Sequence, residues 1–342
     1  MPSDNVLEFN RERPRRRTGS SAASRAIPIP RGAHLSVCLG SWELSLESAN
    51  KSPKTIRSYT DVARMFIAYL NDNSLPCDAE GVQAEHVRAF IVRERHRTSD
   101  ASADVCFRNL RVWFNWMISD EIAERTTPSP VLKGDRPHVP KKAKKYLSLD
   151  EQRRLLATAR SNSFEDRRDA ALMLVLGDSG PRASGLTNIR YTPGVEATHD
   201  VDLKGRRLRI RLKGGDEHWI PLGAKATAAV DRYIRARSSH KHASTSPWLW
   251  LGITGRGTAH FTHEGLRDML ARRGELAGIP GVIPHRYRGS AAHELLAAGA
   301  SKDVVQNVLG WKTAEMVSHY TSELAGERAR EIHRQLSPGD RI

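Results

Sequence analysis

Apolar residues recur at three- and four-residue steps through most of this chain, the period of helices with one buried face. Over residues 32–126 the pattern predicts four helices and little else. Leu39, Trp42 and Leu46 form the first apolar stripe. Ser52-Pro53-Lys54 has the chemistry of a helix start and opens a second, with Ile56, Tyr59, Val62, Met65, Phe66 and Leu70 inward. A third near 85–97 turns Val87, Phe90 and Ile91 inward, and a fourth near 103–119 carries Val105, Leu110, Trp113, Phe114 and Met117. Four such helices predict a compact bundle whose polar faces bear Lys54, Arg57, Arg93, Arg97 and Arg111.

The pattern breaks over residues 127–145. Pro128, Pro130, Pro137 and Pro140 precede Lys141-Lys142-Ala143-Lys144-Lys145. Prolines and clustered like charges oppose a packed element, so this stretch predicts a basic linker between two domains. Before the bundle, residues 1–31 are rich in Arg, Pro and Ser around Arg13-Pro14-Arg15-Arg16-Arg17, the composition of a disordered basic tail.

A second domain is expected over 146–336. Ser148, with Glu151 three residues on, reads as a capping box. An apolar helix over 170–176 is expected to stop at Gly177, and Ser179-Gly180-Pro181 to launch a short helix carrying Arg182. Residues 201–203 and 208–212 read as strands: Leu208, Ile210 and Leu212 alternate with Arg207, Arg209 and Arg211, the period of a half-buried strand. Lys213-Gly214-Gly215-Asp216 predicts a two-residue glycine hairpin with Lys213 at its tip, and residues 219–222 the returning strand. Helices follow near 224–236, 262–277, 284–298 and 302–309, with a last pair near 314–320 and 323–336. The tail 337–342 is expected to be disordered. The fold class is mainly α with a small β-hairpin sheet, a helical bundle joined to an α+β domain.

Composition narrows the partner. A net charge of +15 over 342 residues points to a polyanion, with nucleic acid the expected one. No apolar run has the length of a membrane span and the N-terminus lacks a signal-peptide core, so a cytoplasmic, nucleoid-associated protein is expected. Cys38, Cys77 and Cys106 are odd in number and lack CxxC spacing, and they read as reduced, buried residues.

The candidate chemistry centres on Pro284-His285-Arg286-Tyr287-Arg288. His285 and Arg288 stand three apart, on one helical face, just after a turn at Gly281. Ala291, Ala292, Leu295 and Leu296 can bury the opposite face. A helix start carrying a proton-transfer group and a planar cation suits a phosphate. With Arg182, Lys213, Trp311 and Tyr320 added, the set holds cations, one proton shuttle and a hydroxyl nucleophile. No metal-ligand spacing and no phosphate-binding GxxxxGK[ST] loop accompanies it. Phosphoryl transfer from a DNA diester needs such a set: Arg forks neutralise the non-bridging oxygens while a Tyr oxygen attacks in line.

The chain resembles the phage-integrase family of site-specific tyrosine recombinases. Five boxes in the family's order carry the resemblance: Gly180-Pro181-Arg182-Ala183-Ser184-Gly185-Leu186; Leu212-Lys213-Gly214-Gly215-Asp216-Glu217; His285-Arg286-Tyr287-Arg288; Val304-Val305-Gln306-Asn307-Val308-Leu309-Gly310-Trp311; and Met316-Val317-Ser318-His319-Tyr320-Thr321. Residues 52–59 are similar to the family's helical core-binding (SAM-like) DNA-binding domain. The resemblance implies domains over 32–126 and 146–336. It implies that Tyr320 attacks the scissile phosphorus to give a 3′-phosphotyrosyl link. Arg182 and Arg288 then hold the transition state, His285 moves a proton, Lys213 protonates the departing 5′-oxygen and Trp311 donates to a phosphate oxygen. It implies no cofactor, neither metal nor ATP, because the bond energy stays in the covalent link. The implied partner is double-stranded DNA at recombination sites, bound by a homotetramer that is monomeric when free, with an accessory recombinase or directionality factor as a further candidate.

Lys54, Arg57, Arg111, Lys141, Lys142, Lys144, Lys145, Arg209 and Arg211 are the expected DNA-binding residues. The chain departs from the family at Gly185, where an acidic residue is usual, and at Gly289, where His or another basic residue is common. Two other functions stay open: a catalytically weakened DNA-binding accessory protein, and a type IB topoisomerase-like enzyme.

Overall fold

The computed structural model describes residues 29, 32–120, 128–140, 146–194, 199–212, 215–253, 259–313, 315, 317, 330 and 333–342. The chain divides into two compact units, Met1–Lys142 and Ala143–Ile342. Among the described residues no helix is long and apolar enough to cross a membrane.

The first unit is built on helices α1 (Leu35–Ser48), α2 (Pro53–Asp72), α3 (Ala84–Arg97) and α4 (Asp100–Ser119). Each polar start has a local cause. The hydroxyls of Ser52 and Ser99 accept from the N–H groups of Thr55 and Ser102, satisfying donors that the first helical turn leaves over. Trp42 stacks on Trp113 with ring centroids 5.6 Å apart, and Phe66 meets Phe90 edge-on at 5.1 Å, so aromatic contacts join α1, α2, α3 and α4 into one core.

Val105 differs from expectation: it is 37% exposed, while Ala103, Cys106 and Phe107 fill the inner face. A helix beginning at Ser99 places 103, 106, 107 and 110 on one side, and 105 falls off it. Cys77 is half-buried rather than buried, and burial pushes the Cys38 thiol up to about 11. Part of the expected linker is fastened to this unit. Val131 is buried in its core, Asp135 accepts from Arg88 at 2.8 Å, and Arg136 donates to Asp104 at 2.7 Å. That last bond holds the Asp104 carboxyl below the usual carboxylate range.

The second unit comprises α5 (Leu149–Ala157), α6 (Phe164–Ser179), α7 (Ala183–Thr187), strands β1 (Val201–Asp202), β2 (Arg207–Arg211) and β3 (Glu217–Pro221), then α8 (Ala224–Ser238), α9 (His263–Leu276), α10 (Pro284–Ala297) and α11 (Lys302–Leu309). The strands form an antiparallel sheet in the order β1-β2-β3, with Leu208 opposite Ile220 and Arg211 opposite Glu217. The expected capping box forms: Glu151 N–H donates to Ser148 Oγ at 3.1 Å, and Ser148 N–H to Glu151 Oε2 at 2.8 Å. Buried α6 is the hub. Its start is tied to α9 by Arg273, which donates to Asp169 at 2.7 Å and to Asp166 at 2.6 Å.

Three expectations for this unit are corrected. The apolar helix does not stop at Gly177 but runs to Gly180, which takes the left-handed conformation at φ 51°. Gly177 lies inside the helix, where a Cβ would stand 2.7 Å from Gln152 Oε1, the end of a side chain that itself donates to Leu147 O at 3.1 Å. The hairpin is closed by the pair Leu212–Asp216 rather than around a two-residue turn: Leu212 N–H donates to Asp216 O at 2.7 Å, Gly215 N–H to Leu212 O at 3.1 Å, and Gly215 has φ 93°, while residues 213 and 214 lie outside the described residues. The tail carries one 3-10 turn, Gly339–Arg341, where the expectation was disorder; Pro338 presets its first backbone angle at φ −62°.

Candidate active site

The site is assembled where the end of α6 meets the start of α10. A Cβ at Gly180 would lie 3.0 Å from Arg288 Cα and 3.1 Å from Ala291 Cβ. Only glycine therefore permits both the left-handed turn and this approach. Two residues on, Arg182 is the N-cap of α7 and is exposed. Pro284 occupies the first position of α10, and Gly281 (φ 66°) turns the chain into it. His285 follows, exposed, while Arg288 one turn later is only 4% exposed. Arg182, His285 and Arg288 line one cleft of about 650 Å³.

Arg288 is a fixed cation rather than a mobile one. Its Nη1 donates to Gly180 O at 2.6 Å, and its Nη2 to Leu309 O at 3.0 Å. Its guanidinium also lies 5.0 Å from the centre of the Trp311 ring. One side chain thus joins the ends of α6 and α11 at the cleft. Trp311 is buried just after Gly310, whose φ of 61° ends α11. His218 on β3 packs against that glycine: a Cβ there would stand 2.9 Å from His218 Cδ2.

Lys213 and Tyr320 lie outside the described residues. Their flanks are described. Asp216, at the end of the hairpin loop, accepts from Lys312 Nζ at 2.9 Å, so the loop's base is tied to the residue after Trp311. That contact holds the Asp216 carboxyl below its ordinary range. Val317, three residues before Tyr320, is fully buried in a cluster with Ala292, Leu296, Val305, Leu309 and Trp311. Tyr287, the tyrosine between His285 and Arg288, is 1% exposed, and burial drives its phenol well above the ordinary range. It therefore stays protonated and is a poor nucleophile.

Among the expected DNA-binding residues, Lys54 and Arg57 are exposed on the first turns of α2, and Arg111 is half-buried on α4. Asn109 of α4 donates to Ser58 O at 2.9 Å, which brings the helix segments carrying Arg57 and Arg111 together. Lys141, Lys142, Lys144 and Lys145 lie outside the described residues. Arg209 and Arg211 are tied down, because fully buried Asp200 accepts from Arg209 Nε at 2.8 Å and from Arg211 Nη1 at 2.9 Å. That pairing holds the Arg211 guanidinium more firmly protonated than usual. Gly185 lies in α7 against β2, where a Cβ would meet Arg211 O and Ile210 Cβ at an ordinary 3.6 Å. Gly289 is buried within α10.

Sequence reading missed three contributors. His263 and Arg267 on α9 line the same cleft as Arg182 and Arg288. Their signal was present, since Thr262 caps a helix whose positions 263 and 267 share a face. Asp200 had no such signal, because its partners are reached only when the sheet pairs.

A family model described as the phage integrase family matches residues 145–327. A tyrosine recombinase XerC from Actinobacillus pleuropneumoniae is 29% identical over 235 residues, spanning 68% of this chain and 72% of that protein. A tyrosine recombinase XerA from Thermococcus kodakarensis is 27% identical over 282 residues, spanning 82% and 88%. Among solved structures, the Tn1549 transposon integrase in complex with transposon right end DNA aligns with a TM-score of 0.67 at 16% identity, covering 89% of this chain and all of that one (100%). A lambda integrase dimer bound to a COC′ core site aligns at 0.64 and 17%, covering 85% and 77%. The chain belongs to the phage integrase family, and with it to the tyrosine recombinases, enzymes that transfer DNA strands.

Proposed function

We propose that the chain cuts and rejoins double-stranded DNA at specific sites, with Tyr320 as nucleophile. The observation that carries this reading is the convergence of exposed Arg182, exposed His285 and buried, doubly anchored Arg288 on one cleft. A phosphodiester seated there meets two guanidinium forks on its non-bridging oxygens, where charge builds in the transition state. The Tyr320 oxygen forms a bond to phosphorus as the bond to the 5′-oxygen breaks. His285 takes part in proton transfer at the nucleophile and Lys213 delivers a proton to the leaving oxygen. The product is a 3′-phosphotyrosyl link and a free 5′-hydroxyl. Attack by the 5′-hydroxyl of another strand reverses the step and returns the proton. Each transesterification exchanges one phosphate ester for another, so ATP is not required.

Two duplexes exchanging all strands require four cuts, one per protomer, which favours a homotetramer on DNA. Lys54, Arg57 and Arg111 suit the duplex flanks, and an accessory recombinase or directionality factor would fit on the assembled complex.

The test needs a target. A duplex selected from random sequence by binding to the Tyr320→Phe chain supplies one, because that variant keeps the cationic cleft. Wild type incubated with a nicked version of the duplex should form a covalent protein–DNA adduct on a denaturing gel. Tyr320→Phe should form none, a loss of at least about 10³-fold. An adduct persisting in Tyr320→Phe removes Tyr320 from the role. Tight binding with no adduct from wild type favours a DNA-binding accessory protein, and relaxation of arbitrary supercoiled plasmid favours a topoisomerase-like enzyme.

A further inference from the structure

Beside the cleft lies a second cavity, of about 560 Å³, that among the described residues shares with it only Arg182. Arg190 and Arg211 also line it, with Ser184 and Asn188 as further hydrogen-bonding groups and Ile210 in its wall. Among the described lining residues there is no Asp or Glu, and Gly185 contributes no side chain to fill the cavity. The three guanidinium groups are not equivalent. Arg211 is neutralised by Asp200 at 2.9 Å and approached by Glu217 at 3.5 Å. Arg182 and Arg190 have no carboxylate within ion-pair distance among the described residues.

Arg190 is exposed, yet it stands on a stiff frame. Its backbone N–H donates to Asp200 Oδ2 at 2.7 Å, its carbonyl accepts from Asp200 N–H at 3.1 Å, and its backbone bridges to Trp248. Its guanidinium lies 5.8 Å from the centre of the Trp248 ring, whose own position is set by stacking on His260 at 4.2 Å. A single buried carboxylate, Asp200, therefore holds both the Arg190 main chain and the Arg211 side chain. The result is a concave, net-cationic site on a fixed backbone.

We infer that this cavity seats a second phosphodiester of the cut strand, with Arg190 as its main contact and Arg182 standing between it and the scissile phosphate. The inference rests on reading the cleft as the scissile-phosphate site. Its physical basis is continuity: a DNA strand presents a phosphate about every 3.4 Å of helix axis. A cationic cavity adjoining the cleft at Arg182 therefore meets a near neighbour of the phosphate being cut. Arg190 acts as a positioning residue, fixing strand register so that the correct phosphorus faces the nucleophile.

The experiment is a methylphosphonate scan on the nicked duplex, neutralising each phosphate near the cut in turn. Binding and adduct formation are measured for the full-length wild type, Arg190→Ala and Arg190→Lys. Wild type should lose about ten- to hundredfold in affinity at one flanking phosphate, the range of a hydrogen bond to a charged group. Arg190→Ala should lose a similar factor on unmodified DNA and become indifferent to neutralisation at that position alone. Its retained sensitivity at the other phosphates shows that the variant is folded, and Arg190→Lys should recover part of the loss.

If wild type forms no adduct, the reading of the cleft fails. If wild type forms the adduct and Arg190→Ala keeps every sensitivity of wild type, only the second phosphate seat fails. Arg190-dependent binding of inorganic phosphate, with no effect of Arg190 on DNA, would give the cavity to a free anion and overturn the assignment.

Discussion

Lys213 and Arg288 both bring positive charge to the proposed reaction, but chemistry separates their work. Departure of a 5′-hydroxyl, a poor leaving group, needs a proton. Departure of a thiolate from a bridging 5′-phosphorothiolate needs little. If Lys213 is the general acid, Lys213→Ala should cleave the ordinary diester about 10²–10⁴-fold slower, the usual cost of losing an acid catalyst. On the sulfur substrate it should run close to wild type. Arg288→Ala should be slow on both, since charge on the non-bridging oxygens must be stabilised whichever atom leaves. It should also loosen the site itself, because the same guanidinium holds Gly180 O and Leu309 O. Single-turnover rates on the two substrates decide the matter. Equal slowing of Lys213→Ala on both would make Lys213 a phosphate clamp and leave His285 as the next candidate acid.

At the scale of elements, the sheet depends on one carboxylate. Asp200 is fully buried and accepts from Arg190 N, Arg209 Nε and Arg211 Nη1. Asp200→Ala would leave the Arg190 N–H without its acceptor and Arg209 and Arg211 with only the exposed Glu217, and losing the acceptor of a buried donor typically costs about 1–3 kcal/mol. The urea midpoint of the full chain should fall accordingly, whereas Asp202→Ala, whose partner Arg207 is half exposed, should stay near wild type. Equal, small shifts in both would mean that Asp200 does not anchor the sheet. This network also marks where sequence reading stops. Helices α2, α5, α9 and α10 were legible because their start signals are local: Ser52, the Ser148–Glu151 box, Thr262 and Pro284. The extent of α6 was not, because Gly177 and Gly180 both read as stops and it is Gly180, packed against Arg288 and Ala291 of α10, that takes the left-handed turn. Arg209 and Arg211 read as free cations for the same reason, since their neutralising partner arrives only through strand pairing. Of the cleft, Arg182, His285 and Arg288 were legible as motif residues; His263 and Arg267 share a helical face in the sequence but reach the cleft only through packing, as Arg190 reaches the second cavity.

Across the whole molecule, the net charge of +15 is spread over both units and the stretch between them. Each lysine or arginine that neutralises a DNA phosphate releases counterions, so log K should fall linearly with log salt, by about 0.9 per phosphate contacted. The sites should not contribute alike. Arg209 and Arg211 already face Asp200 and Glu217, so a phosphate gains little from them as point charges. Lys141, Lys142, Lys144 and Lys145 stand together in sequence with no acidic residue among them. Replacing these four lysines by Ala should flatten the slope by about one unit per lost contact. Replacing Arg209 alone by Gln should change the slope far less, even where it lowers affinity. Anisotropy titrations on the selected duplex between about 50 and 200 mM salt, the range over which such contacts cost orders of magnitude in affinity, measure both slopes. An unchanged slope for the four-lysine variant would place that stretch away from the DNA and leave the steep salt dependence to the Arg-rich segment near the N-terminus and to the helical unit.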